Sequence, residues 1–386
     1  MIPQRGTPGI AERRPDGAAL TPFALGLAKH LAAASGGANL VFSPLSVYAA
    51  LALLAAGARG RTLQELLAAL GARSRDELAA LVGAVVRSAL ADQSRSGGPA
   101  VAFATGMWHD ATCVILRGFR DAAAKSYKAE TRAVDLRNEP EKAVCEINSW
   151  VPAATNNLID SILAPASLQE DTSLVLANAM WEKPFDEADT VTDKFYRIDG
   201  SAAAGVRFMR SRSSQFVSVH DGLKVLKLPY KSPLPRQQYT AAGDQVPRYS
   251  MYVFLPDARD GLPDLVARMT SMPGFWRHRL PETRVPVGDL RRVLRDGMGI
   301  RAALDAWQAD LSDMAMDDDS GMLPLFADEI CHKAVVEVNE EGTEAAAATP
   351  PRTVDFVADH PFMFFVVEEV SGAIMFVGHV LDPTKY

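Results

Sequence analysis

Along the first half of the chain, apolar positions recur at helical spacing. Leu25, Leu27 and Leu31, with neighbouring alanines, predict a short apolar helix that stops near Gly36-Gly37. Ser43-Pro44 marks a second start, with Ser as N-cap and Pro at the first helical position, and an Ala- and Leu-rich helix follows over Leu45–Gly57. Thr62 to Glu65 and Ser74 to Glu77 both fit the capping box S/T-x-x-E. Leu63, Leu66, Leu67 and Leu70 then keep helical spacing until Gly71. Val101–Trp108 reads as a strand, and Phe119–Tyr127 and Ala143–Leu158 as helices.

The second half changes period. Ser173–Met180 is a nearly continuous apolar run, as expected of a strand covered on both faces. Further strands are expected over Leu223–Leu228, Ser250–Leu255, Lys333–Asn339, Phe362–Glu368 and Ala373–Val380, with Ser371-Gly372 as a hairpin turn before the last. Lys231–Pro247 is polar, carries three prolines and reads as a surface loop. There is no internal repeat. Helices first and strands later, without regular alternation, point to an α+β fold rather than a doubly wound one.

Composition narrows the function classes. A chain of 386 residues holds one large domain or two to three ordinary ones. Its 48% hydrophobic and 23% charged residues are those of a globular protein. A formal net charge of -7 argues against nucleic-acid binding, which needs a basic face. The apolar stretch around Tyr48–Ala56 is too short to span a membrane and runs into Arg59 and Arg61. Residues 1–18 read as a disordered leader without the apolar core of a signal peptide, and no Asn-x-Ser/Thr acceptor occurs. Cys113, Cys145 and Cys331 are odd in number and far apart, which predicts three reduced, mostly buried thiols in a cytoplasmic or nuclear protein.

Enzyme chemistry finds little support. There is no P-loop, G-x-G-x-x-G, G-x-S-x-G or H-E-x-x-H. The seven histidines show no ligand spacing, so no cofactor or metal is expected. His332, on an apolar strand, reads as a structural, hydrogen-bonded histidine, and Asp359-His360 as a turn-forming polar pair. Met316-Asp317-Asp318-Asp319-Ser320-Gly321 has its glycine one place early for a calcium loop and reads as a solvated acidic turn. Arg291, Arg292 and Arg295 form a charged face without a wider basic patch.

The most telling stretch is Glu340-Glu341-Gly342-Thr343-Glu344-Ala345-Ala346-Ala347-Ala348-Thr349, which follows the strand-like Lys333–Asn339. Small side chains can enter an existing sheet, and Gly342 supplies the freedom of a hinge. Composition alone favours reading the four alanines as a short surface helix or a linker. Placed after a strand and behind Glu-Glu-Gly-Thr-Glu, the run resembles the proximal hinge of a serpin reactive-centre loop. Asp355–Phe362 resembles the strand that closes this loop in plant serpins.

Other stretches resemble the same family, in the same order: Asn39–Ser46, Gly57–Gly60, Ile147–Trp150, Leu176–Ala179, Met251–Asp257 and Asp359–Phe362. Together they span nearly the whole chain after residue 20. The resemblance implies a single serpin domain over 19–386, with the reactive-centre loop region at about 341–357. It further implies an N-terminal helical part packed on a large central, mostly antiparallel sheet plus smaller sheets. Ser43, Ser46, Asn178 and His332 correspond to the shutter beneath the point where the sheet opens, and Trp181 and Glu340 to its upper opening.

Three departures stand out. Only Pro350-Pro351-Arg352-Thr353-Val354 separate hinge and distal strand. Trp181 follows Asn178-Ala179-Met180 at once, where the family has an aromatic-rich insert. Val287–Arg295 passes into Asp296-Gly297-Met298-Gly299-Ile300, loop and helix, where a central strand and a basic partner for Glu340 belong. Losses in two central-sheet strands are therefore expected.

The family mechanism is a suicide trap in which the cleaved loop inserts as a new strand and drags the acylated protease across the molecule. With Arg352-Thr353 as the scissile bond, the insertable piece from Thr343 is roughly 33 Å long, about half of such a crossing. The expectation is a monomeric, non-inhibitory serpin, neither enzyme nor membrane protein. The alternative is an inhibitor of a serine or cysteine protease acting through Arg352-Thr353. Family analogy leaves an extracellular location open.

Overall fold

In the computed structural model, the residues described are 17–89, 102–155, 159–164, 168, 172, 174–182, 190–209, 216–230, 246–271, 293–316, 325–327, 329–336 and 356–385. A 3-10 turn, Gly17–Leu20, opens the described chain, so Gly17 and Ala18 belong to ordered structure rather than to the expected leader. The helical half contains α1 (Thr21–Ala34), β1 (Leu40–Phe42), α2 (Pro44–Gly57), α3 (Gly60–Leu70) and α4 (Arg75–Ala89). It continues with β2 (Ala102–Asp110), β3 (Val114–Ile115), α5 (Arg117–Tyr127), β4 (Ala129–Val134) and α6 (Pro140–Ala154). Next come β5 (Leu174–Glu182), β6 (Thr190–Tyr196), β7 (Ala202–Met209), β8 (Phe216–His220), β9 (Leu223–Pro229) and β10 (Tyr249–Pro256). The chain closes with α7 (Leu262–Ser271), β11 (Ala315–Met316), β12 (Glu329–Val336), β13 (Phe362–Glu368) and β14 (Ala373–Val380).

Local chemistry explains most of these boundaries. Ser43 caps α2 as the sequence predicts, its hydroxyl accepting from the Ser46 N–H at 3.2 Å, and Pro44 occupies the first turn. α2 is buried along nearly its whole length, which its uniformly apolar composition requires of a core helix. Ser74 caps the start of α4 in the same way at 3.1 Å, but Glu77 reaches back to the Arg73 N–H rather than to Ser74. The box expected at Thr62 does not form. α3 already starts at Gly60, so Thr62 lies inside the helix and its hydroxyl accepts from the Asp310 N–H at 2.9 Å. Glu65 instead accepts the backbone N–H groups of Arg301 and Ala302. Gly71 ends α3 in the left-handed conformation, φ 65°, a geometry that favours glycine.

The strands form two principal sheets. One is antiparallel and six-stranded, in the order β1-β14-β13-β10-β9-β8. Its β13–β14 hairpin closes at Glu368 opposite Ala373, with Gly372 at φ 73° in the turn. The other is four-stranded and mixed, in the order β12-β5-β2-β4: β5 is antiparallel to β2, whereas β12–β5 and β2–β4 are parallel pairs. β3–β11 and β6–β7 are separate two-stranded pairs.

β5 is covered on both faces, as its apolar run predicts. Leu174 and Leu176 join the main core with α2, while Val175 faces a second core containing Trp108, Ile147 and Trp150. The Trp108 and Trp150 rings meet edge to face at 4.9 Å, fixing α6 on β2. The expected shortening after Met180 does not interrupt β5, which stays paired through Trp181 and Glu182. Residues 293–297 form a single π-helical turn, in keeping with the loop-and-helix reading there. The Lys231–Pro247 loop lies outside the described residues but for Val246 and Pro247, as do residues 183–189 and 272–292, where strand losses were expected.

Candidate functional site

β12 and β5 run side by side in parallel for eight consecutive positions, from Glu329 opposite Val175 to Val336 opposite Glu182. No gap parts the two strands along this length. His332 stands opposite Asn178, and Val335 opposite Trp181. The structure thus brings His332, Asn178 and Trp181 onto one strand pair.

His332 also ties this pair to the other sheet. Its Nε2 accepts the Ser43 N–H at 2.9 Å, and Ser43 follows β1, whose Phe42 pairs with Val377 of β14. An amide can only donate, so Nε2 holds the lone pair and the ring proton sits on Nδ1. The residue as a whole is partly exposed, yet Nδ1 is fully buried and has no hydrogen-bond partner among the described residues. Burial pushes the His332 pKa down to about 3, so the ring is neutral near pH 7. Ser43 and Ser46 are both fully buried. His332, Ser43 and Ser46 therefore form one polar seam where α2, β1 and β12 meet. With its lone pair already engaged, His332 is a hydrogen-bonded structural histidine, not a base.

The loop itself falls elsewhere. Glu340, Glu341, Gly342, Thr343, Glu344, Ala345–Ala348, Thr349 and the candidate bond Arg352-Thr353 lie outside the described residues. Structure is described up to Val336 and again from Phe356. On the far side the chain is fixed firmly. His360 is buried, with Nδ1 2.7 Å from Asp359 Oδ1 and Nε2 2.7 Å from the Pro256 carbonyl oxygen. The sequence reading took this pair for a simple turn and missed the connection to β10, because nothing in the local pattern reveals a partner 104 positions away.

Two further polar anchors went unread. Asn39 is buried and makes four hydrogen bonds to the C-terminal segment. It donates to the Asp382 and Lys385 carbonyls and accepts from the Leu381 and Asp382 N–H groups. Buried Glu368 accepts the N–H groups of Arg248, Val370 and Ser371. The expectation of mostly buried thiols is corrected: Cys145 is exposed on α6 and Cys113 is half-buried after β2, while Cys331 lies on β12. Helical periodicity placed Cys145 within α6 but not on its outer face. No cluster of three metal-ligating side chains occurs among the described residues, and no helix there is long and apolar enough to cross a membrane.

Comparison with known proteins decides the family. The model described as Serpin (serine protease inhibitor) matches residues 18–383. The chain belongs to the serpin family. Serpin-Z2A of Oryza sativa subsp. japonica is 48% identical, the match taking in 95% of this chain and 97% of the rice protein. The structure of Arabidopsis AtSerpin1 in its native stressed conformation superposes with a TM-score of 0.84 at 33% identity, covering 97% of this serpin and all of that chain. The relatives are plant serpins, as the resemblance indicated. In this serpin β5 and β12 are joined along all eight of their paired positions.

Proposed function

We propose that this serpin is a non-inhibitory member of its family. The observation that carries the reading is the loop length: five residues, Pro350 to Val354, stand between the hinge and Asp355. A domain of this length has a radius of gyration of about 21 Å, hence a diameter near ~55 Å. The piece from Thr343 to Arg352 reaches roughly 33 Å as a strand. A protease carried on its end would stop part-way. Pro350 and Pro351 also lack the N–H groups a central strand must donate. An entering strand would have to part eight consecutive β5–β12 pairs before forming its own. The alignment with the rice relative is consistent with this: it runs over 412 positions, more than the 386 residues of this chain can fill, so that protein carries residues with no counterpart here.

The second reading, a serine-type protease inhibitor acting at Arg352-Thr353, is favoured by the intact small-residue composition of Thr343–Thr349. The two part in one assay. Incubated with trypsin-like proteases and boiled in detergent, this serpin should yield free protease and a nicked chain. A stable band at the summed mass would reverse the assignment.

A further inference from the structure

The chain that closes the loop region on its C-terminal side, residues 356–361, passes between the end of β6 and the turn after β10. Three sets of contacts hold it. The Tyr196 N–H at the end of β6 donates to the Asp359 carbonyl at 2.7 Å. Arg259, from the turn after β10, lies 3.4 Å over the Tyr196 ring and brings its Nη2 to 3.8 Å from Asp359 Oδ2. His360 fills the gap between the Asp359 carboxylate and the Pro256 carbonyl, 2.7 Å from each.

Both groups that face the ring are acceptors. A neutral imidazole carries one N–H and can serve only one of them, leaving the other oxygen against a lone pair. An imidazolium carries two N–H groups and serves both. The ring is buried, so water cannot readily supply the missing donor. The titratable and charged groups around it are Asp359 on its own segment, Arg259 from the turn after β10 and Tyr196 from β6.

We propose that His360 is a proton-operated latch for the C-terminal root of the loop region. With both nitrogens protonated it bridges Asp359 to the end of β10 and holds residues 356–361 in place. When one proton passes to solvent, one of the two bridges loses its donor and the segment loosens. The latch concerns the footing of the loop, so it stands or falls independently of whether the loop traps a protease.

The test uses the full chain with isotope-labelled histidine, followed by NMR from about pH 5.5 to about pH 8.5, the range in which histidine commonly titrates. The His360 signals are assigned by their loss in His360→Arg. Exchange of the Tyr196 amide is measured in parallel and corrected for the intrinsic pH dependence of exchange. The expected result is a ring protonated on both nitrogens at the acid end. As the ring loses a proton, corrected Tyr196 exchange should rise at least about fivefold. His360→Arg, a permanent cation with donors on several sides, should show no such rise. If that variant does not fold, the signals are assigned instead by their loss in His360→Gln, and the wild-type titration with Tyr196 exchange decides. A ring with one bare nitrogen throughout, a ring protonated on both nitrogens throughout, or Tyr196 exchange that ignores the titration would each overturn the latch.

Discussion

At the scale of single residues, this serpin relies on a few buried polar side chains that each join segments far apart in sequence. Asn39 is the clearest. Its amide satisfies two carbonyls and its oxygen two N–H groups of the C-terminal segment, so all its hydrogen-bonding capacity is spent on one partner. Asn39→Ala takes a partner from four backbone groups, of which the Asp382 carbonyl keeps the Lys385 N–H at 3.2 Å, and should lower stability by about 2–4 kcal/mol. Asn39→Asp should cost at least as much, because a carboxylate oxygen would replace the amide nitrogen against two carbonyls. Urea unfolding of the three proteins checks both the size and the order. His332 makes a different prediction. Its pKa is about 6.5 when unfolded and falls to about 3 by burial in the fold. The unfolded chain therefore binds the proton first as pH drops. The stabilisation from a neutral His332 is complete above pH ~6.5 and is lost as pH falls from there toward ~3, with a slope of at most about 1.4 kcal/mol per pH unit. His332→Gln can still accept from the Ser43 N–H, so its stability should be lower in level but flatter across this window. An equally steep acid slope in the variant would show that other groups cause it.

At the scale of elements, legibility followed the range of the physical signal. Hydrophobic period and turn chemistry are local, and they placed α2, β5, β10, β13 and β14 within a residue or two. Ser43-Pro44 and Gly71 were read correctly because a cap is decided by its own few residues. Thr62 was misread because Gly60 lets α3 begin earlier, and because tertiary partners at 301–310 compete for Thr62 and Glu65. Pairing across sheets was not legible from pattern at all. The roles expected of Asn178, His332 and Trp181 came from family likeness, and the Ser43–His332 bond that ties β12 to the end of β1 needed the fold. Gly378 shows the same limit. On sequence it is a weak point in an apolar strand, yet it sits opposite Val41 on one side and Phe364 on the other. A Cβ added there would lie 2.2 Å from both the Leu40 carbonyl oxygen and the Phe364 ring. The backbone contact cannot be relieved by a rotamer change. Gly378→Ala should therefore push β1 away from β14 and cost about 3 kcal/mol, the upper range for an overpacked core. A loss under about 0.5 kcal/mol in chemical denaturation would mean that the three strands can spread.

At the scale of the whole molecule, the question is how much energy the fold still stores. Inhibitory serpins are metastable because their sheet can gain a strand; cleavage frees the loop, insertion adds ladder bonds and buried area, and the product melts far higher. Here β5 and β12, which the proposed reading takes as the receiving strands, satisfy each other along eight pairs, and opening them removes bonds before any are gained. The entering piece is ten residues, Thr343 to Arg352, and its last three include Pro350 and Pro351. Each proline removes a ladder donor, so the end that should reach deepest is the end least able to pair. What remains to insert is the seven residues Thr343–Thr349, roughly 23 Å of strand. Such an insertion forms at most seven pairs with each neighbour against the eight it must break, a much smaller net gain than a full-length strand would return. A single cut between Thr349 and Asp355, followed by thermal unfolding of cut and uncut protein in the same buffer, should therefore shift the melting temperature by only a few degrees. That is the scale of local effects of about 1 kcal/mol in a domain of this size. A rise of tens of degrees would mean that the short loop inserts fully and that the energy of the trap has survived, and the non-inhibitory assignment would then have lost its physical basis.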